Sequence, residues 1–127
     1  MELIVEPAVV QKIQAKKQPQ DLILLDNEDG EGPFVDYMVS CQLYGGFRLL
    51  LVDPALTQEV LAVYSIRFET AAGPVLMKPS GNLFLNECNR LLVEPTYQRI
   101  QLKSESGMIA STVELSRKNR RKEAWVD

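Results

Sequence analysis

Apolar and polar positions first change rhythm at Pro7. Leu3, Ile4 and Val5 form a short apolar run that predicts a strand. Beyond it, Val9, Val10 and Ile13 are spaced to share one face of a helix, with Pro7 suited to its first turn. Lys16 and Lys17 fall where a helix dipole is negative, and Pro19 stops the helix. From there the pattern is that of strands. Leu22–Leu25 is a buried-looking run, Tyr37–Leu43 reads as a second strand, and YGGF at 44–47 reads as a hairpin turn whose two glycines meet the positive φ angles of a type I′ turn. FRLLLVD, residues 47–53, is apolar on both faces apart from Arg48, which predicts a central strand.

Asp53-Pro54 ends that strand, and a short helical turn is expected around Ala55–Leu61. In VYSIRFET, alternation puts Tyr64, Ile66 and Phe68 on one face and Ser65, Arg67 and Glu69 on the other. Gly73-Pro74 is read as a turn, Val75–Met77 as a short strand and Pro79–Asn82 as a loop, while NLFLNECNRL suits a helical turn or a strand equally. A late hairpin is expected where Ile100 and Leu102 alternate with Arg99, Gln101 and Lys103. SESG turns it, and Ile109, Ser111, Val113 and Leu115 return. The elements predict an α+β, mostly β domain: a sandwich or roll of roughly seven to nine strands with one N-terminal helix. The expected boundaries are a single domain over 1–115 and a basic, flexible C-terminal tail over 116–127.

Composition narrows the chemistry. A chain of 127 residues suits one core, and at this size roughly two-thirds of the unfolded surface is buried without staples. Histidine is absent, which removes Ser-His-Asp and Cys-His nucleophile activation, imidazole bases and His-based zinc sites. No apolar run approaches the roughly 20 residues of a membrane span, and MELIVEPAVV has no signal-peptide pattern. A cytoplasmic location is therefore expected, with Cys41 and Cys88 as thiols.

The net charge of −3 conceals an asymmetry. Every charged residue from Asp21 to Asp36 is acidic, whereas RKNRRK gathers Arg117, Lys118, Arg120, Arg121 and Lys122. The basic run is a candidate anion or nucleic-acid contact; a solvated, frayed terminus is the ordinary reading. The acidic stretch DNEDGEGPF, with Asp26, Asp29, Gly30, Gly32 and Pro33, fails as an EF-hand. Gly30 at the sixth position puts Leu25 at the first, and Gly32 there puts Tyr37 near the end where Glu belongs. It also lacks the P-loop lysine, and its acids repel anions. A solvated corner is the simplest account: the glycines meet the backbone's demands and Pro33 fixes the exit.

Taken together, DGEGPF, then Cys41, then FRLLLVD resembles the HesB-like fold of A-type iron–sulfur cluster biogenesis proteins, and is most similar to a divergent Gram-positive branch. The resemblance covers most of the chain before the basic tail. It implies a family in which three cysteines hold iron or a cluster, one in a glycine turn and two in a late C-x-C, with subunits of an oligomer sharing the cluster. Here Glu31 stands where the first cysteine would be, and no cysteine follows Cys88, so SGMIASTVEL occupies the C-x-C region. Cys41 and Glu31 are the remaining candidate ligands, with Cys88 a third. A lone cysteine in an apolar strand is ordinarily a small buried hydrophobe.

Three functions follow as expectations. The first is a non-enzymatic scaffold or weak metal binder in iron–sulfur metabolism, with assembly proteins or a second copy of the chain as partners. The second is a metal-free interaction module on the same fold, with Tyr37, Tyr44, Phe47 and Trp125 as candidate anchors. The third is a weak nucleic-acid contact through the tail. No set of residues assembles into catalytic roles.

Overall fold

The computed structural model describes residues 1–27 and 46–118. Strand β1 (Glu2–Val5) leads into helix α1 (Pro7–Lys16), with Pro7 in its first turn and Val9 and Ile13 buried on one face. The backbone leaves the helix at Lys17, and the Lys16 ammonium donates to the Leu115 carbonyl at 3.2 Å. Then come β2 (Leu22–Asn27), β3 (Phe47–Val52), a 3-10 turn (Pro54–Leu56), α2 (Thr57–Val63), β4 (Ile66–Thr70) and β5 (Gly73–Met77). A second 3-10 turn (Pro79–Leu83) precedes β6 (Cys88–Val93), β7 (Ile100–Ser104), β8 (Gly107–Ala110) and β9 (Glu114–Lys118).

Nine described strands form two mixed sheets, ordered β1-β6-β7-β8 and β4-β5-β2-β3-β9. The α+β, mostly β roll expected from the sequence is the fold observed. The apolar runs of β2 and β3 pair antiparallel at the centre of the five-stranded sheet, with Leu25 opposite Leu49 and Leu24 opposite Leu50. Period-2 alternation then divides their side chains between two cores. Ile23, Leu25, Leu49 and Leu51 face the four-stranded sheet and α1, meeting Leu3, Val9, Ile13, Leu91 and Leu102. Leu24, Leu50, Val52 and Leu76 face outward and are covered by Leu56, Val60 and Tyr64 around α2.

Three expectations are corrected. Tyr64 does not share a strand face with Ile66 and Phe68. Helix α2 runs to Val63, Tyr64 ends it, and its ring joins the outer core while Phe68 joins the inner one. The turn lies at Ala71-Ala72 rather than Gly73-Pro74. Gly73, at φ +103°, opens β5 opposite Thr70, whose hydroxyl donates to the Gly73 carbonyl at 2.7 Å. The return strand of the late hairpin ends at Ala110, after a register shift between Leu102 and Lys103. Val113 N–H still bonds the Ile100 carbonyl at 2.8 Å, but Glu114–Lys118 crosses to the other sheet and pairs parallel with β3. Ser116, Arg117 and Lys118 belong to this strand and complete the β3 ladder. The expected strand Tyr37–Leu43 and the turn residues Tyr44 and Gly45 lie outside the described residues.

Candidate functional site

The acidic stretch follows β2 directly in the sequence, so the residues fixing the end of that strand define the candidate site. Alternation along LILLDN sends Asp26 to the outer face and Asn27 to the inner one. An acid in an otherwise apolar strand must then be compensated. Asp26 is 1% exposed. Its Oδ1 accepts from the Tyr64 hydroxyl at 2.6 Å and lies 3.2 Å from the Lys78 ammonium, while its Oδ2 accepts from Arg48 Nε at 2.8 Å. Arg48 arrives by register, directly opposite Asp26 on β3. Lys78 follows β5, which runs parallel to β2. Tyr64 comes from the end of α2, and the Lys78 ammonium also lies 5.8 Å from its ring centroid.

On the inner face, Asn27 Nδ2 donates to Ser80 Oγ at 3.0 Å. Gly81 allows this approach: a Cβ there would fall 2.7 Å from Met77 Sδ and 3.2 Å from Asn27 Oδ1. Phe47 opens β3 opposite Asn27 and packs edge-on against Phe84, with ring centroids 5.9 Å apart. Phe84 remains 46% exposed and its neighbour Leu83 85%. The root of the loop thus combines a buried, compensated carboxylate with an apolar shoulder.

This arrangement is a structural anchor. A carboxylate already saturated by a guanidinium, an ammonium and a phenol is not a free metal ligand. Among the described residues no group of three or more His, Cys, Asp or Glu side chains could hold a metal ion. Cys88 is exposed, and its thiol donates to Glu2 Oε1 at 2.8 Å. That bond, burial and the charges of Glu2, Glu105 and Glu87 push the thiol above its usual range. A protonated thiol is the wrong form for a ligand or nucleophile. The described donor set therefore does not fit a resident metal.

The other candidates divide in two. Asp26 is placed as the anchor just described, whereas Asp29, Gly30, Glu31, Gly32, Pro33, Tyr37, Cys41 and Tyr44 lie outside the described residues, as do Arg120, Arg121, Lys122 and Trp125. Within the basic run, Arg117 makes a two-pronged pair with Asp21, Nε–Oδ2 at 2.7 Å and Nη2–Oδ1 at 2.9 Å, and Lys118 ends β9. Burial pushes the Asp21 carboxyl up. The hydrogen bonds from Arg117 and the Gln18 N–H, with the charges of Arg117 and Lys17, outweigh it and hold the carboxyl below its usual value. Arg117 thus serves the fold instead of standing free for an external anion. Sequence reasoning missed Tyr64, Lys78 and Arg48 as partners of Asp26. The available signal was the lone charge in each of two adjacent apolar runs, LILLD and FRLLL.

No helix among the described residues is long and apolar enough to cross a membrane. Comparison with known proteins supplies the wider frame. The family model described as iron-sulphur cluster biosynthesis matches residues 1–117. The crystal structure of a Lactobacillus salivarius protein, named as a candidate Fe-S biosynthesis protein with a novel fold, superposes with a TM-score of 0.79 at 16% identity, covering 94% of this chain and 100% of the other. A Lactobacillus acidophilus protein named in the same way gives a TM-score of 0.66 at 12% identity, covering 98% and 93%. No curated protein matches the chain.

Proposed function

The chain belongs to the iron-sulphur cluster biosynthesis family, and from that premise we propose that it is a non-enzymatic accessory of cluster assembly, a cytoplasmic scaffold that binds iron weakly if at all. One observation carries this reading: the family match spans residues 1–117, yet the chain has two cysteines, none of them after Cys88. The resemblance drawn from the sequence implies that Glu31 stands where the glycine turn's cysteine would be. Soft thiolate ligation is thereby reduced to Cys41, with Glu31, ten residues before it in sequence, as a hard oxygen donor, a pair suited to loosely held iron and not to a stable cluster. A cluster, where the chain meets one, is cargo. The Asp26 anchor supports the reading because it keeps the root of the loop fixed independently of metal.

Equilibrium dialysis against ferrous iron without oxygen, on the wild type, Cys41→Ser and Glu31→Gln, tests it. Weak binding that either substitution abolishes fits the scaffold with residual ligands. Tight stoichiometric binding that survives both substitutions contradicts it.

The apolar shoulder favours a second reading, a metal-free interaction module. Leu83 and Phe84 stand exposed beside the root of the loop, and adjacent exposed apolar side chains suit a protein partner. In that reading the dialysis shows no iron at all, and Leu83→Ser abolishes association with an assembly partner without changing the fold.

A further inference from the structure

Strand β9 closes the edge of the five-stranded sheet without a fully buried side chain. Among the described residues of that sheet, β2, β3, β4 and β5 each carry at least one buried side chain, whereas Glu114 is exposed and Leu115, Ser116, Arg117 and Lys118 are half-buried. The strand is held to β3 by a parallel ladder running from Arg48 opposite Glu114 to Val52 opposite Lys118. Parallel pairing is slightly weaker per residue than antiparallel pairing. Side-chain bonds reinforce the ladder, from Arg117 to Asp21 and from the Lys16 ammonium to the Leu115 carbonyl. Elements with little buried apolar area open locally, at a fraction of the global unfolding free energy.

The edge that β9 covers needs a strand. Leu49, Leu50, Leu51 and Val52 of β3 are fully buried, and an open edge on so apolar a strand is a template for another chain. The register shows which strand fits it, namely Glu114–Lys118. The route away from the edge is equally defined. Ser111 and Thr112 are exposed, and Ser111–Val113 alone carries the chain from β8 in one sheet to β9 in the other. Val113 is buried, and its N–H bonds the Ile100 carbonyl at 2.8 Å, continuing the hairpin of β7 and β8 beyond Ala110. The alternation of Ile109, Ser111, Val113 and Leu115 runs unbroken through the crossing, so the same residues suit an arm extended in line with β8. Short connections between elements invite exchange of the element between copies.

We propose that β9 is an exchangeable arm, and that the edge of β3 docks the Glu114–Lys118 strand of a second copy of this chain in a reciprocal, twofold dimer. Every contact between β3 and β9, with the pair of Arg117 and Asp21, is then remade between chains. The closed and exchanged forms differ only in the path of Ser111–Val113 and in their dependence on concentration. Arg117 must leave one Asp21 before the arm opens and meets an Asp21 again in either form. That pair is therefore a latch on the rate of exchange and leaves the balance unchanged. This assignment goes beyond the iron reading and stands whether or not the chain holds iron.

The test mixes isotope-labelled and unlabelled full-length chain, opens both briefly in dilute urea, and concentrates them to the millimolar range without it. Gel filtration separates monomer from dimer, and isotope-filtered NOE spectra of the dimer read contacts between chains. The expected contacts join Leu50 of one chain to Ser116 of the other, which are neighbours in the register. Asp21→Asn should speed the approach to equilibrium about tenfold, as loss of a charge-assisted pair implies, and leave the final dimer fraction unchanged. Inserting Gly-Gly-Ser between Thr112 and Val113 should lower the dimer fraction about tenfold, because a longer connection closes more readily within one chain. Circular dichroism reports that both variants are folded, and the wild-type spectra decide the matter without them. A chain that stays monomeric, a dimer without contacts between Leu50 and Ser116 of different chains, or a dimer fraction indifferent to the insertion would each overturn the proposal.

Discussion

Asp26 and Tyr64, 38 residues apart in sequence, meet through a 2.6 Å hydrogen bond from phenol to carboxylate. That bond ties the end of β2 to the end of α2. With Arg48 and Lys78 on the same carboxylate, it holds the root of the acidic loop.

Removing the charge should therefore be costly. Asp26→Asn keeps the shape but leaves two buried cations facing a neutral amide, and breaking a buried ion pair from one side costs roughly 3–5 kcal/mol. Tyr64→Phe deletes one hydrogen bond to a charged group and should cost roughly 1.5–3 kcal/mol. Urea unfolding should show both losses, with Asp26→Asn the larger. Equal and negligible effects would mean that the carboxylate is not an anchor.

Gly81 should tolerate no side chain. In Gly81→Ala the new Cβ meets Met77, which is fully buried, at a distance real Cβ atoms do not adopt. Overpacking of this kind costs about 1–3 kcal/mol, and a lowered melting temperature with unchanged secondary structure by circular dichroism is the expected result.

The pair between Asp21 and Arg117 sets an acid limit. The folded Asp21 carboxyl titrates below its ordinary value. Its stabilising contribution is therefore present above the unfolded value of about 3.9 and is lost as pH falls through the lower folded value. Urea midpoints measured from neutral pH down through that range should fall more steeply for the wild type than for Asp21→Asn, which is less stable at neutral pH and lacks this titration. Parallel profiles for the two proteins would remove Asp21 from the account.

Cys88 should be a sluggish thiol. With Cys41→Ser as the background, alkylation of Cys88 at mildly alkaline pH should run slower than that of an unperturbed thiol, because Glu2 favours the protonated form. Glu2→Gln removes the acceptor charge and should speed the reaction. A rate indifferent to Glu2 would show that the contact does not control the thiol.

Much of the fold was legible because it rests on local rhythm. The helix after Pro7, the buried strands β2 and β3 and the start of the late hairpin follow from apolar spacing alone. Two errors share a different cause, since they depend on where the chain chooses its partner. Tyr64 fits a strand alternation with Ile66 as well as a helix end, and only the outer core around Leu24 and Leu50 decides between them. Val113 and Leu115 fit the return of a hairpin, but the open edge of β3 recruits Glu114–Lys118 instead. The candidate site was legible as a position and not as a set of contacts. Asp26 was visible as the first acid of the loop, while its bonds to Arg48, Lys78 and Tyr64 arise from sheet register and helix packing that no local window contains.

The most direct test of the central claim is iron and acid-labile sulfide content, with a visible spectrum, after reconstitution and gel filtration without oxygen. The account predicts a folded protein that retains no stoichiometric cluster, in the wild type and Cys41→Ser alike. Stoichiometric iron and sulfide that persist through gel filtration and vanish in Cys41→Ser would show that the remaining ligands still assemble a cluster, and would contradict it.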